Sequence, residues 1–399
     1  MLASLSLVFL VGLSAAAIFQ KLKLPRIVGM LATGIILGPY VLNLLDPSIL
    51  GISAELRQIA LIIILIKAGL SLNLSDLKKV GRPAVMMSFV PASFEILAYV
   101  LFAPLLLGVT RIEAAVMGAV LGAVSPAVVV PRTVRLIDEE YGTNKSIPQL
   151  IMAGASCDDI FVIVLFSTFA NIAQGGHAKF TDFLSIPISV ILGIALGAVF
   201  GFILSKLFET AYAHKHLVRN SMKVIIVLGV SFLLMTIETL VKNYVSVSGL
   251  LAVVSMACVL KLKSVESVSK RLSEKFGKLW LAAEVVLFVL VGAAVDIRYT
   301  LEAGLAAVGM IFIALAIRSA GVAVCLIKTP LNFKERLFCV ISYLPKATVQ
   351  AAIGSVPLSL GLPCGKIVLS VAVLAIIITA PLGAFGMDMS YKKLLAKSE

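Results

Sequence analysis

The chain alternates long apolar stretches with short polar loops. Thirteen such stretches run at about 2–20, 27–40, 54–72, 82–107, 112–134, 148–172, 182–208, 221–241, 247–262, 279–295, 303–327, 334–360 and 366–387. A hydrocarbon core about 30 Å thick takes roughly 20 apolar residues as a helix, and most of these stretches approach that length. Strands of a membrane barrel would alternate with period 2, and no such alternation is sustained. The pattern predicts an all-α membrane protein of about 13 transmembrane helices. Ala15, Ala16 and Ala17 look faintly like a signal-peptide cleavage site, but no positive region precedes the first stretch, so it reads as a span.

Composition agrees: 60% of residues are hydrophobic, 14% are charged, and the mean hydropathy is +1.09. The formal net charge of +13 could suggest nucleic acid, but its distribution points elsewhere. Of the 34 Lys and Arg residues, 25 fall in the loops after spans 1, 3, 5, 7, 9 and 11 and in the tail, against six in the opposite loops (Arg57, Arg111, Lys179, Lys242, Arg298 and Lys366). The positive-inside rule then places the N-terminus outside and the C-terminus in the cytoplasm, which requires an odd number of spans. The basic excess is topology, and no nucleic-acid partner is expected. Five cysteines, four of them inside apolar runs, have neither a disulfide framework nor a metal spacing, and the chain has no Walker motif for ATP-driven pumping.

Charged groups clearly inside the spans, away from their ends, are few: Lys67, Glu95, Asp158, Asp159, Glu284, Arg318 and Lys346. Each costs roughly 2.5–3.5 kcal/mol at a helix centre on insertion scales, so each needs a partner, a wet cavity or an escape to the interface. Lys67 can snorkel, and Glu284 is expected about one turn inside span 10; neither is assigned a role. Asp158 and Asp159, in "GASCDDIFVIVLF", stand near the middle of span 6 on side chains too short to reach water. Span 5 reads "VLGAVSPAVVVP" and span 12 reads "YLPKATVQAAIGSVP", each interrupted by Pro. Spans 4–6 match spans 11–13 at an offset of seven, and an odd offset means opposite orientation. The sequence therefore predicts inverted repeats with two broken helices flanking a central site. Glu95 and Arg318 occupy related depths on repeat-related spans and are expected to form a buried ion pair.

The motifs "ALIIILIKAGL" (60–70), "LGAVSPAVVVP" (121–131), "GASCDDI" (154–160) and "LPKATVQAAIGS" (344–355) resemble those of the monovalent cation:proton antiporter superfamily, in particular sodium/proton antiporters of the NHA branch. The resemblance covers nearly the whole chain. It implies a sodium/proton antiporter fold with two crossing broken helices, working as a homodimer whose core moves like an elevator. It implies dimerisation segments at 1–81 and 219–300, a linker helix at 175–218, and core repeats at 82–174 and 301–399. On this resemblance Asp159 is the main ion- and proton-binding carboxylate and Asp158 its neighbour. A hard monovalent cation takes oxygen ligands, for which Asp159, Asp158 and carbonyl or hydroxyl oxygens around Ser125 or Thr348 are candidates. Glu95 and Arg318 match the branch's ion pair, and Lys346 is a candidate for coupling. Lys67 stands where that branch carries Arg. Electrogenic relatives carry Lys where Arg318 stands, and Arg holds its proton, which favours one-for-one exchange.

The implied activity is secondary antiport of Na⁺ or Li⁺ against H⁺ at one carboxylate, without a cofactor, by a non-enzymatic multi-pass protein of the cell membrane surrounded by lipid. K⁺/H⁺ exchange and sodium-coupled organic-anion symport share the fold and remain alternatives. An intramembrane aspartyl protease fits poorly, because its two carboxylates come from different helices and these adjoin on one. His214 and His216 read as solvated loop residues and Cys157 as a packing residue.

Overall fold

The computed structural model describes residues 1–22, 24–71, 80–175, 180–213, 220–241, 245, 247–296 and 304–397. His214 and His216 lie outside them, as do the loop cations Lys23, Lys78, Lys79, Lys179, Lys215, Arg219, Lys242 and Arg298. Among the described residues the regular structure is helical, apart from one isolated antiparallel bridge between Tyr141 and Lys397.

Every apolar stretch has a helical counterpart. The first three form α1 (Leu2–Lys21), α2 (Arg26–Leu37) and, after a single turn α3 (Pro47–Gly51), α4 (Ser53–Ser71). The next three form α5 (Arg82–Met87) with α6 (Val90–Leu107), α7 (Arg111–Leu121) with α8 (Pro126–Asp138), and α9 (Ile147–Gly175). Then come α10 (Phe180–Ala213), α11 (Asn220–Val241), α12 (Gly249–Lys263) and α13 (Glu266–Ala293). The last three form α14 (Gly304–Cys325), the interrupted series α15 (Phe333–Ser342), α16 (Thr348–Ile353) and α17 (Val356–Ser359), and α18 (Gly365–Leu394). Among the described residues, nine helical segments are long and apolar enough to cross a membrane, and the chain is a multi-pass membrane protein.

α13 departs from the expected boundary. It begins at Glu266 rather than near 279, because "ESVSKRLSEKFGK" is rich in good helix formers even though it is polar. Glu284 lies on this 28-residue helix and is 2% exposed.

The helices form two compact units: Met1–Ala54, Asn73–Gln174 and Val285–Glu399 in the first, and Glu55–Leu72 and Gly175–Glu284 in the second. Packing in both relies on small residues, as expected where lipid leaves little hydrophobic drive between helices. In the first unit α2 lies so close to the end of α13 that a Cβ on Gly34 would fall on the Val289 carbonyl, and one on Gly292 on the Leu31 carbonyl. In the second, Gly193, Gly197 and Gly201 recur every fourth residue of α10 and seat it directly against α12. The first unit contains both broken helices and α6, α9, α14 and α18, so the whole candidate site is built within it. Met1–Ala54 groups with these helices.

Candidate functional site

Both interruptions expected from the prolines are present. α7 stops at Leu121 and α8 starts at Pro126; α15 stops at Ser342 and α16 starts at Thr348. Pro126 occupies the first helical position, where its missing N–H costs nothing. The two breaks meet. The Ser125 N–H donates to the Pro345 carbonyl at 2.8 Å, the Thr348 N–H donates to Ser125 Oγ at 3.4 Å, and the two hydroxyls stand 3.4 Å apart.

A helix that ends inside a protein leaves carbonyls at one end and N–H groups at the other without partners. Here side chains take them. Lys346 Nζ donates to the Leu121 carbonyl, Arg318 Nη1 to that of Gly122, and Gln350 Nε2 to that of Ala123 at 2.8 Å. Arg318 Nε donates to the Tyr343 carbonyl at 3.0 Å, just past the end of α15. The Val124 N–H, entering α8, donates to Asp158 Oδ2 at 2.9 Å. Cations thus cap the negative ends of α7 and α15 and a carboxylate caps the positive start of α8, the favourable sense for the helix dipoles.

The same side chains form ion pairs. Arg318 Nη1 lies 2.8 Å from Glu95 Oε2, and Arg318 Nη2 lies 2.9 Å from Asp158 Oδ2. Lys346 Nζ is 2.7 Å from each Glu95 oxygen. All four residues are buried. The expected Glu95–Arg318 pair is therefore present, but as part of a quartet of two anions and two cations whose charges cancel. A buried charge left without an ion partner would be strongly destabilising, and each of the four has one.

Asp159 stands apart from that balance. It follows Asp158 on α9, about 100° further round the helix. It is 8% exposed, its Oδ1 has no hydrogen-bond partner, and no ion pair to it is present among the described residues. Asp158 Oδ1 is also without a partner. One carboxylate is thus supernumerary, beside a neighbour with a spare oxygen. Among the described residues, no group of three or more His, Cys, Asp or Glu could hold a resident metal ion.

The structure brings Glu95, Asp158, Arg318 and Lys346 into one cluster, and Ser125 and Thr348 to the meeting of the breaks. Cys157 is a free, partly buried thiol on α9. Lys67 lies over the Trp280 ring at 5.7 Å, so its stem packs within the second unit. Two further residues join the site. Gln350 bridges the breaks, its Oε1 accepting the Ala347 N–H at 2.7 Å while Nε2 holds Ala123. Tyr343 supports Arg318 with its carbonyl and with its ring, 5.6 Å from the guanidinium. The only sign of either in the sequence was their place in the interrupted "YLPKATVQ" stretch.

Known proteins are similar to this chain in sequence and in fold. The chain is 35% identical to sodium/hydrogen exchanger 9B2 of Homo sapiens over 359 residues, which are 87% of this chain and 65% of that protein. It is 34% identical to the Mus musculus 9B2 exchanger over 357 residues, 87% of this chain and 64% of the other. The chain thus spans a little under two thirds of these relatives' length. Among solved structures, that of the sodium proton antiporter MjNhaP1 from Methanocaldococcus jannaschii matches with a TM-score of 0.83, covering 98% of this chain and 97% of the other at 24% identity, so its fold is shared. The family described as sodium/hydrogen exchanger, transmembrane, matches residues 5–387, a stretch that includes both breaks, the quartet and Asp159. The chain belongs to the transmembrane sodium/hydrogen exchanger family.

Proposed function

We propose that this protein is a secondary antiporter that exchanges a monovalent cation, Na⁺ or Li⁺, for H⁺ at Asp159. The observation that carries the reading is the charge balance: Glu95, Asp158, Arg318 and Lys346 pair with one another, and Asp159 is left buried with no ion-pair partner among the described residues. An isolated buried carboxylate is costly unless it takes a proton or a cation. Either ligand suffices, and the two compete for the same oxygens. A hard monovalent cation prefers oxygen ligands, and the spare Oδ1 atoms of Asp158 and Asp159 offer two. The hydroxyls of Ser125 and Thr348 are further candidates. If the core changes access only when Asp159 is neutralised, movement of one ligand inward drives the other outward without ATP. The names of the 9B2 and MjNhaP1 proteins agree with this chemistry.

In this reading the first compact unit carries the mobile core, which moves as an elevator, and the protein works as a homodimer in the cell membrane with its C-terminus in the cytoplasm. Exchange is one for one, because Arg318 is held by two carboxylates and keeps its proton. The test is cation-induced pH change in proteoliposomes. Asp159→Asn is expected to abolish it at every cation concentration, and near-normal exchange by that variant would overturn the proposal. The same vesicles with Na⁺, Li⁺, K⁺ or an organic anion separate antiport of each cation from symport.

A further inference from the structure

Tyr343 combines three features that the quartet alone does not explain. Its carbonyl accepts from Arg318 Nε at 3.0 Å and its ring stands 5.6 Å from the same guanidinium, so one residue touches Arg318 twice. Its phenol is buried and has no hydrogen-bond partner. That phenol fills a notch on α9: a Cβ at Gly154 would fall on Tyr343 Oη and come within 3.3 Å of Cζ. Gly154 precedes Asp158 by four residues, one turn along the same face of α9.

Tyr343 therefore links three parts of the site: the break after α15, the guanidinium, and the helix that carries both aspartates. Arg318 must reach Glu95 with one nitrogen and Asp158 with another while capping two carbonyls. The guanidinium is a rigid plane on a flexible stem, and a group packed against that plane adds to what its hydrogen bonds hold. The ring supplies that packing, and the notch at Gly154 fixes the ring.

We propose that Tyr343 is a positioning residue for cation binding: seated in the Gly154 notch, it fixes Arg318 and thereby keeps Asp158 placed beside Asp159 for the incoming cation. This rests on the exchange reading above. Fixed placement of a ligand oxygen contributes to affinity, so loss of the support weakens cation binding before it slows the translocation step. The hydroxyl has no hydrogen-bond partner among the described residues and serves only as the tip that enters the notch; the packing of the ring against the guanidinium carries the positioning.

The experiment measures KM and maximal rate for Na⁺ in proteoliposomes, with Na⁺-induced thermal stabilisation of the detergent-solubilised protein as a second readout. Tyr343→Phe keeps the ring and is expected to leave KM within about twofold of the parent. Tyr343→Leu and Gly154→Ala, which remove the ring or its seat, are expected to raise KM by about tenfold with maximal rate nearly unchanged, the size of a weakened hydrogen bond to a charged group. Combining Gly154→Ala with Tyr343→Phe removes the oxygen that the new methyl meets, and KM is expected to fall back toward the parent value. Parental KM and Na⁺ stabilisation in both Tyr343→Leu and Gly154→Ala would overturn the proposal, as would a fall in maximal rate with KM unchanged. If Tyr343→Leu does not fold, Gly154→Ala with and without Tyr343→Phe decides by whether the second change restores KM; if Gly154→Ala does not fold, Tyr343→Leu decides by whether its KM rises. Failure of the exchange reading is a different result: no Na⁺-dependent proton movement by the parent protein, or equal movement by Asp159→Asn.

Discussion

Glu95 serves two cations. Arg318 and Lys346 both lie within 2.8 Å of it, so neutralising it leaves two positive charges facing Asp158 alone. Glu95→Gln is therefore expected to destabilise the fold by roughly 3–5 kcal/mol, the cost of an uncompensated buried charge. Adding Lys346→Gln removes the surplus cation, and the double variant is expected to melt at a higher temperature than Glu95→Gln alone. Thermal unfolding in detergent checks this; additive losses would show that Lys346 does not share the balance. The Glu95–Arg318 pair was legible in the sequence because both residues sit on unbroken helices at matching depths, where helical rise converts residue number into height. Lys346 lies in a break, where backbone direction has no period, so its reach to Glu95 could not be read. The surplus charge on Asp159 was hidden for the same reason, because it appears only once the partners of Asp158 are known.

Each break presents a problem of orphaned backbone groups, and Gln350 solves part of it for both. Its amide donates to Ala123 in the first break and accepts from Ala347 in the second. Gln350→Leu is close in volume but leaves a buried carbonyl and a buried N–H unpaired, each worth roughly 1–3 kcal/mol. The expected result is a lowered melting temperature with the breaks loosened, measurable as faster amide exchange around 121–125 and 344–348; unchanged exchange there would count against the bridge. That helices break at Pro126 and near Pro345 was evident in the sequence, since proline and glycine mark interruption locally. How the carbonyls freed at the end of α7 are satisfied depends on side chains more than 190 residues away, as in the bond from Arg318 to Gly122. The extra turns of α13 were missed because a hydropathy pattern marks where a helix is apolar and is blind to a polar extension.

For the molecule as a whole, the pattern of apolar stretches conveyed the class of fold and the repeat, but not which helices associate. Met1–Ala54 joins the unit that holds the quartet, and the contact that ties α2 there is a backbone approach at Gly34 and Gly292. Such contacts depend on two glycines far apart in sequence facing one another, which no local pattern encodes. The quartet has a consequence at this scale. Two positive and two negative charges sum to zero, and Asp159 loaded with H⁺ or with a monovalent cation adds nothing. Carrying one elementary charge through the field would involve about 2.3 kcal/mol per 100 mV. On the exchange proposed above, the loaded core offers the membrane voltage nothing to pull on, so turnover in vesicles clamped at 0 and at about −100 mV is expected to agree within about twofold, and the cell's electrical potential is expected neither to drive nor to brake the cycle.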